Sequence, residues 1–186
     1  MGQLGEAKSW FERSLKIREK LAQADLNDAQ AQRDLSISLG KLGEVAVKMG
    51  QLGEAKSWFE RSLKISEKRA QADLNDAQAQ RDLSIILGNL GEVAMKMGQL
   101  GEAKSWFERY LKISEKRAQA NLNDAQAQSD LIVSHYKLAD LFSRSGQPAA
   151  ARSAARLAAD LLIKLRPRLP KHDADNLDQA IRALLR

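Results

Sequence analysis

Apolar residues recur at steps of three and four along most of the chain, the spacing of one face of an α-helix. Between Asn75 and Met97 this stripe comprises Leu83, Ile86, Leu87, Leu90, Val93, Ala94 and Met97. Asn75 and Asp76 precede it as candidate N-caps, and Gly98 follows it, since glycine tolerates the left-handed backbone that ends many helices. Nothing alternates with period two for long enough to form a strand, so the pattern predicts an all-α fold.

The helical pattern is repeated along the chain. The segment GQLGEAKSWFER begins at Gly2, Gly50 and Gly98, a period of 48 residues, and a divergent copy begins at Gly146. A fixed period of this length is typical of a solenoid, in which each unit buries its apolar face against its neighbours. We therefore predict one domain, 1–186, made of units 1–48, 49–96 and 97–144, a partial unit 145–166, and a C-terminal cap, 167–186.

Each unit is predicted to contain two helices, which makes about eight in all. A lone helix of the second type covers about residues 4–25, and helix pairs follow at about 28–72, 76–120 and 124–165. Pro167 and Pro170 then interrupt the chain. A last helix runs from Asp173 to Arg186, with Asp173 or Asp175 as its candidate cap, and its apolar face suits the covering of a solenoid end.

Composition narrows the possible functions. The chain has no cysteine and two histidines, so it has no thiolate ligand, and we expect neither a metal nor a cofactor. His135 stands where other copies have Leu39 and Leu87 and is predicted to be a buried, hydrogen-bonded substitute, whereas His172 is predicted to be exposed in a linker. No run approaches the roughly 18–20 apolar residues of a membrane span and no signal peptide is evident, which predicts a cytoplasmic protein.

The repeat positions resemble those of the tetratricopeptide repeat family. The first copy of the pattern is Leu39-x-x-Leu42-Gly43-x-x-Ala46, then Gly50, Ala55-x-x-x-Phe59 and Leu63. The resemblance implies a right-handed superhelix of antiparallel helix pairs, in a long-helix variant because the usual period is about 34 residues. It also implies a non-catalytic scaffold that binds a peptide or helix of a protein partner, in keeping with the lack of any recognisable catalytic motif.

The family's geometry implies a concave binding face built from the first helix of each pair. Its predicted residues are Lys41, Glu44, Val47, Lys48, Asn89, Glu92, Met95, Lys96, Tyr136, Lys137, Asp140, Ser143 and Arg144. Residues 1–48 and 49–96 differ at only five positions, and three differences lie on or beside this face: Ser38/Ile86, Lys41/Asn89 and Val47/Met95. The acidic row Glu44, Glu92 and Asp140 and the basic row Lys48, Lys96 and Arg144 favour a partner with charges of both signs. Members of the family that bind chaperone C-termini hold the terminal carboxylate with lysine and asparagine. The acidic row replaces that asparagine here, so such binding is not expected.

Two alternatives remain open at this point. Residues 145–186 carry a net charge of +4 out of +6, and their basic cluster, Lys164, Arg166, Arg168 and Lys171, is a candidate site for nucleic acid or an acidic partner. The row Trp10, Trp58 and Trp106 would suit base stacking, although packing between successive second helices is the favoured interpretation. The near-identical units are also compatible with a designed or consensus array that has no natural ligand.

The first helix lacks a preceding partner in its own pair, which leaves apolar side chains to be covered. The residues concerned are Leu4, Ala7, Phe11, Leu15 and Ile17. Because apolar patches of a few hundred Å² mark interaction sites, we expect a homodimer through residues 1–25, with the same face contributed by both copies.

Overall fold

All regular structure in the computed structural model is helical, over the residues that it describes, 2–169 and 171–185. The helices are α1 (Gln3–Ala24), α2 (Ala29–Lys48), α3 (Leu52–Ala72), α4 (Ala77–Lys96), α5 (Leu100–Ala120), α6 (Ala125–Arg144), α7 (Pro148–Leu165) and α8 (Lys171–Leu185). A single 3₁₀ turn, Arg166–Arg168, contains Pro167 and follows α7. Met1, Pro170 and Arg186 lie outside the described residues. The predicted all-α helical repeat, a fold of the α-solenoid class, is confirmed.

The loops that join second to first helices carry a repeated capping motif. Asp28, Asp76 and Asp124 each accept hydrogen bonds from the backbone N–H groups two and three residues later. Three residues earlier, Asp25, Asp73 and Asn121 accept from a backbone N–H in the same loop. Asp76, rather than Asn75, is therefore the N-cap of α4, and the D-L-N-D pattern satisfies the donors that a helix start leaves unpaired.

The loops that join the first helix of each pair to the second contain a glycine with a positive φ angle. Gly50, Gly98 and Gly146 have φ angles of 74°, 74° and 69°, a conformation that a side chain would strain. Around Gly50 the N–H of Gln51 bonds to the carbonyl of Ala46, which satisfies a carbonyl at the end of α2. The turn is thus the αL helix ending that the sequence pattern indicates.

The helices form two compact units, one extending to Gly98 and the other beginning at Gln99. In the first unit Leu15, Leu39 and Leu42 form a core cluster on which Phe11 and Trp58 pack. In the second unit α6, α7 and α8 share a core whose buried members are Ile132, Ala139, Ala154, Ala155, Ala158, Leu162, Leu165, Ala174 and Ile181.

The last helix covers an apolar surface as predicted, but it starts earlier than predicted. Ala174 and Ile181 are buried, and Leu177 and Leu184 pack against the same core. Because α8 begins at Lys171, Asp173 and Asp175 lie inside the helix instead of capping it. An acidic residue in the first turn still interacts favourably with the positive end of the helix dipole.

A close approach between α2 and α3 rests on Gly43. A Cβ placed at Gly43 would lie 2.6 Å from Cε1 of Phe59, whose side chain is 1% exposed. Without a Cβ at this position, the Phe59 ring packs directly on the α2 backbone. The small residue of the repeat pattern is therefore required by the packing of the aromatic residue sixteen positions later.

Three buried serines connect the same two helices. The hydroxyl of Ser36 lies 2.8 Å from that of Ser62 and 2.9 Å from that of Ser66, and Ser62 Oγ also donates to the Ser36 carbonyl. All three side chains are buried. Such a network stabilises only if its members stay paired, because an unpaired buried hydroxyl keeps its full desolvation cost.

An arginine of each second helix reaches an aspartate of the first helix that follows. The pairs are Arg18–Asp34, Arg69–Asp82 and Arg117–Asp130. In the first copy the arginine comes from position 18 and Leu21 stands where later copies have arginine. In the second copy Ser66 and Arg69 occupy those positions. Two of the five differences between the units therefore compensate each other, and the ion pair is kept.

We expect Gly43→Ala to lower the free energy of unfolding by about 1–3 kcal/mol, because the new methyl group overlaps the buried Phe59 ring. Gly53→Ala is the matched control, since a Cβ there meets nothing within 4 Å and α3 already holds a helical backbone. The control should stabilise by up to about 1 kcal/mol. Urea unfolding followed by circular dichroism measures both, and equal effects would contradict the close-approach argument.

We expect Ser36→Ala to destabilise by about 1–3 kcal/mol, because it leaves the buried hydroxyl of Ser66 without this partner. Replacing Ser36, Ser62 and Ser66 together by alanine should cost less than the sum of the three single substitutions. The comparison of single and triple variants in urea unfolding tests whether the three hydroxyls act as one network; strict additivity would show that they do not.

Candidate partner-binding groove

A groove lies between α2 and α4, on the face that the family resemblance implies for binding. Six of the predicted residues line one cavity of about 390 Å³: Glu44, Val47 and Lys48 from α2, with Asn89, Glu92 and Lys96 from α4. Phe59 and Val93 complete its lining. These residues meet because each helix presents positions three or four apart on one side and the two helices are neighbouring copies of the same element.

A second cavity extends this groove towards the start of both helices. It measures about 220 Å³ and shares Glu44 and Asn89 with the first. Its lining adds Lys41 together with two apolar residues at equivalent repeat positions, Ile37 and Ile85, which are 41% and 42% exposed. We call the two cavities together the α2–α4 groove. Of the eight residues predicted on these two helices, Met95 alone does not line it.

An ion-pair cluster closes one end of the α2–α4 groove. Asp82 accepts from Nε of Arg33 at 2.8 Å and from Nη1 of Arg69 at 3.0 Å, and Gln78 binds its other oxygen. Burial raises the pKa of Asp82, but the hydrogen bonds from Arg33, Arg69 and Gln78 outweigh it, so that the pKa lies below its ordinary value. The hydrogen bonds of Asp82 therefore favour its charged form and constrain this end of the groove.

The rest of the groove combines charges of both signs with an apolar floor. Glu44 pairs with Lys41 at 2.8 Å, whereas Lys48 and Lys96 extend from the far end of the two helices and are exposed. The arrangement suits recognition of a polar chain with apolar side chains. Among residues 2–169 and 171–185, no three potential metal ligands cluster together.

The predicted residues of α6 lie in the second unit and differ in their surroundings. Asp140 pairs with Arg144 at 3.0 Å, and Lys137 Nζ lies 6.0 Å from the ring centre of Phe107. Tyr136 packs against the core that α6 shares with α7 and α8. Ser143 is exposed. Part of the face that was predicted to be open on this helix is therefore occupied by tyrosine packing within the second unit.

The arginines of the basic cluster have structural partners. Arg166 pairs with Asp175 at 2.6 Å, and Arg168 donates to the carbonyl of Asn123 at 2.8 Å. These bonds tie the 3₁₀ turn to α8 and to the loop before α6. Lys164 and Lys171 are exposed. Nothing in this arrangement supports the nucleic-acid alternative.

The tryptophans each carry a stacked arginine one turn later. Arg13, Arg61 and Arg109 lie 4.9–5.2 Å from the ring centres of Trp10, Trp58 and Trp106. Trp58 packs on the core cluster of α1 and α2, as the packing interpretation predicted. Trp10 is 66% exposed. The side of each ring that the arginine covers is not free for base stacking.

The apolar residues predicted to be open on α1 are only partly exposed: Leu4 and Ile17 are exposed, and the others are not. Leu15 is 5% exposed and belongs to the core, and Phe11 packs against it, because α2 covers this face. Ala7 is half-buried and Leu4 is 40% exposed. The large side chains that remain open are Trp10, Ile17 and Leu21, on the adjacent side of the helix.

Both histidines differ in part from expectation. His135 is half-buried on α6, and burial lowers its pKa below the ordinary value, an effect that the charge of Glu115 offsets only in part. His172 is exposed as predicted, but it lies in the first turn of α8 beside Asn176 and not in a linker.

Sequence reasoning missed two sets of apolar positions. Ile37 and Ile85 line the α2–α4 groove, and Leu26, Leu74 and Leu122 are 59–72% exposed in the capping loops. Leu26 borders a further cavity of about 290 Å³ with Ile65 of α3. The signal was available, since each is an apolar residue repeated with the same period outside the buried stripe.

Two segments of the chain match the model of a known family. Residues 37–69 and 85–117 match the tetratricopeptide repeat family model. The chain is similar to BtubC (BKLC) from P. vanneervenii, a crystal structure, with 17% identity, a TM-score of 0.63, and coverage of 99% of this chain and 74% of that one. It also aligns with the de novo designed helical repeat protein DHR64 at 16% identity and a TM-score of 0.37, over 98% of this chain and 96% of that one. No curated protein sequence matches. The structural likeness concerns the fold.

None of the helices within the described part of the chain is long and apolar enough to span a membrane.

We expect His135→Leu to remove part of the pH dependence of stability. The folded state holds the His135 pKa below its ordinary value of 6.5, so the unfolded state binds the proton first as the pH falls. The contribution of His135 is therefore fully present above about pH 6.5 and is lost as the pH falls towards the lowered pKa. Leucine, which is buried at Leu39 and Leu87, does not titrate.

The measurement is urea unfolding of wild type, His135→Leu and His172→Gln at several pH values between 5 and 7.5. As the pH falls, the free energy of unfolding of His135→Leu should rise relative to that of wild type. The His172→Gln variant should follow wild type. A constant difference would show that burial of His135 does not affect its titration.

Proposed function

We propose that the tetratricopeptide repeats of this chain form a non-catalytic protein-interaction scaffold, and that the α2–α4 groove binds an extended or helical peptide segment of a protein partner. The observation that carries this proposal is the convergence of six residues, three from each of two successive copies, on one groove. A structural role alone does not require charged residues of both signs to line a surface depression next to exposed isoleucines.

The groove supplies the two kinds of contact that a specific peptide site needs. Val47, Ile37 and Ile85 provide apolar surface, whose burial drives association. Charged side chains define direction and register, since unlike charges must meet and like charges are excluded. Lys48 and Lys96 would attract acidic residues at one end, and Glu44 and Glu92 would attract basic residues further along.

The positions at which the repeats differ also support the α2–α4 groove as the binding surface. Val47 and Asn89 line the first cavity, and Lys41 and Ile86 line the second. Each of these positions differs between two units that are otherwise almost identical. Three of the five differences between the units, at 38/86, 41/89 and 47/95, thus involve residues that line the groove, which supports a binding role for this surface.

The proposal predicts that reversing the lysines of the groove weakens peptide binding. A displayed library of random twelve-residue peptides is selected on the immobilised chain, and the enriched peptide is then titrated calorimetrically. Lys48→Glu with Lys96→Glu should weaken its binding at least about tenfold, or about 1.4 kcal/mol, because two favourable charge contacts become repulsive.

The matched control is Lys16→Glu with Lys64→Glu, which changes the net charge equally at two exposed and equivalent positions on α1 and α3. The control should bind as wild type does. Enrichment of no peptide, or an equal loss in both double variants, would overturn the assignment of the groove.

A further inference from the structure

Three large apolar side chains form an exposed stripe on α1. Trp10, Ile17 and Leu21 are 66%, 61% and 55% exposed. Spacings of seven and four residues place them on one side of the helix, next to the face on which Leu15 packs into the core. The stripe is thus distinct from the surface that α2 covers.

One member of this stripe results from the compensating pair of differences between the repeats. Arg18 reaches Asp34, as Arg69 reaches Asp82 in the next copy, so the ion pair is formed from either position. Moving the arginine to position 18 leaves position 21 free for leucine. Packing within the unit does not explain that leucine, since Leu21 is exposed; its effect is to lengthen the apolar stripe.

The equivalent side of α3 shows how this surface is normally used. Trp58 and Ile65, which correspond to Trp10 and Ile17, pack against the core cluster of α1 and α2. The third position there carries Arg69, which turns to Asp82. Leu21 stands at this third position on α1, so the stripe of α1 is more apolar than its counterpart on α3.

We propose that this stripe binds a second copy of the chain, and that two α1 helices pair antiparallel through Trp10, Ile17 and Leu21. A two-fold axis near Arg13 and Ser14 sets Trp10 of one copy against Ile17 of the other. The contact is closed, because each copy contributes the same surface.

Charges beside the stripe favour the antiparallel arrangement. Glu6 and Lys20 lie on the same flank of α1 and are both exposed. In an antiparallel pair the two-fold axis places the same side of each α1 helix next to its copy. This axis brings Glu6 of one copy near Lys20 of the other. In a parallel pair the two residues would stay fourteen positions, or about 21 Å, apart along the axis. Glu6 and Lys20 of different copies thus meet only in the antiparallel pair, and the Arg13 side chains near the axis each stack on Trp10 of their own copy.

The decisive variant exchanges the residues of the first copy for those of the second, Arg18→Ser with Leu21→Arg. The new arginine takes the position from which Arg69 reaches Asp82, so the ion pair with Asp34 is retained while the stripe gains a charge. Sedimentation equilibrium at chain concentrations up to about 100 μM should show dimers for wild type and monomers for the exchange variant. Helical circular dichroism should be unchanged.

Two further comparisons keep the proposal falsifiable. Ile17→Lys should also give monomers, whereas Ile163→Glu, at a 72% exposed position on α7, should leave the dimer intact. Glu6→Lys and Lys20→Glu should each weaken dimerisation several-fold, and the two together should restore it.

A strictly monomeric wild type, or an exchange variant that dimerises like wild type, would overturn the proposal. Dissociation by Ile163→Glu would place the interface on α7 instead. Failure of the double charge variant to restore the dimer would overturn the antiparallel geometry. None of these outcomes depends on peptide binding in the α2–α4 groove, because the substituted residues lie outside it.

Discussion

The contact between the Phe59 ring and the backbone at Gly43 determines how closely α2 and α3 approach. Phe59 is buried by this contact on one side and lines the α2–α4 groove on the other. The depth of the groove therefore depends on a glycine that itself lines neither cavity. The serine network next to it holds the same helix pair through hydrogen bonds, so apolar packing and polar pairing act on one interface.

Repetition explains why a few differences carry most of the information in this chain. Each unit must fit its neighbours, so a change at a contact position is tolerated best when its partner position changes with it. The arginine that moves between positions 18 and 21 satisfies this rule, since the aspartate remains paired. Positions that change without such compensation, at 38/86, 41/89 and 47/95, lie on or beside the face with the groove. The positions that differ between the copies are therefore the best candidates for contacts with a partner.

Several structural features could be predicted from single residues. Glycine at the helix ends and aspartate at the helix starts act locally, and the structure shows them at Gly50 and Asp76 in those roles. Apart from Met95, the residues predicted to face inward on α2 and α4 line the α2–α4 groove, because helical spacing places them on one side of each helix; their role in binding stays a prediction. Predictions about partners across space were less accurate. Leu15 was expected to be exposed and is buried, and Tyr136 was expected on an open face and packs on a core.

The amino-acid sequence alone determined the helices, their boundaries to within a few residues, and the repeat, because these follow from local hydrogen bonding, capping and the period of apolar side chains. Tertiary structure decided which side of each helix is covered. Periodicity marks the apolar positions of α1, but only the placement of α2 shows that Leu15 is buried while Ile17 is not. It also decided that Ile37 and Ile85 meet in one groove, since residues 48 positions apart are brought together by packing and not by the chain.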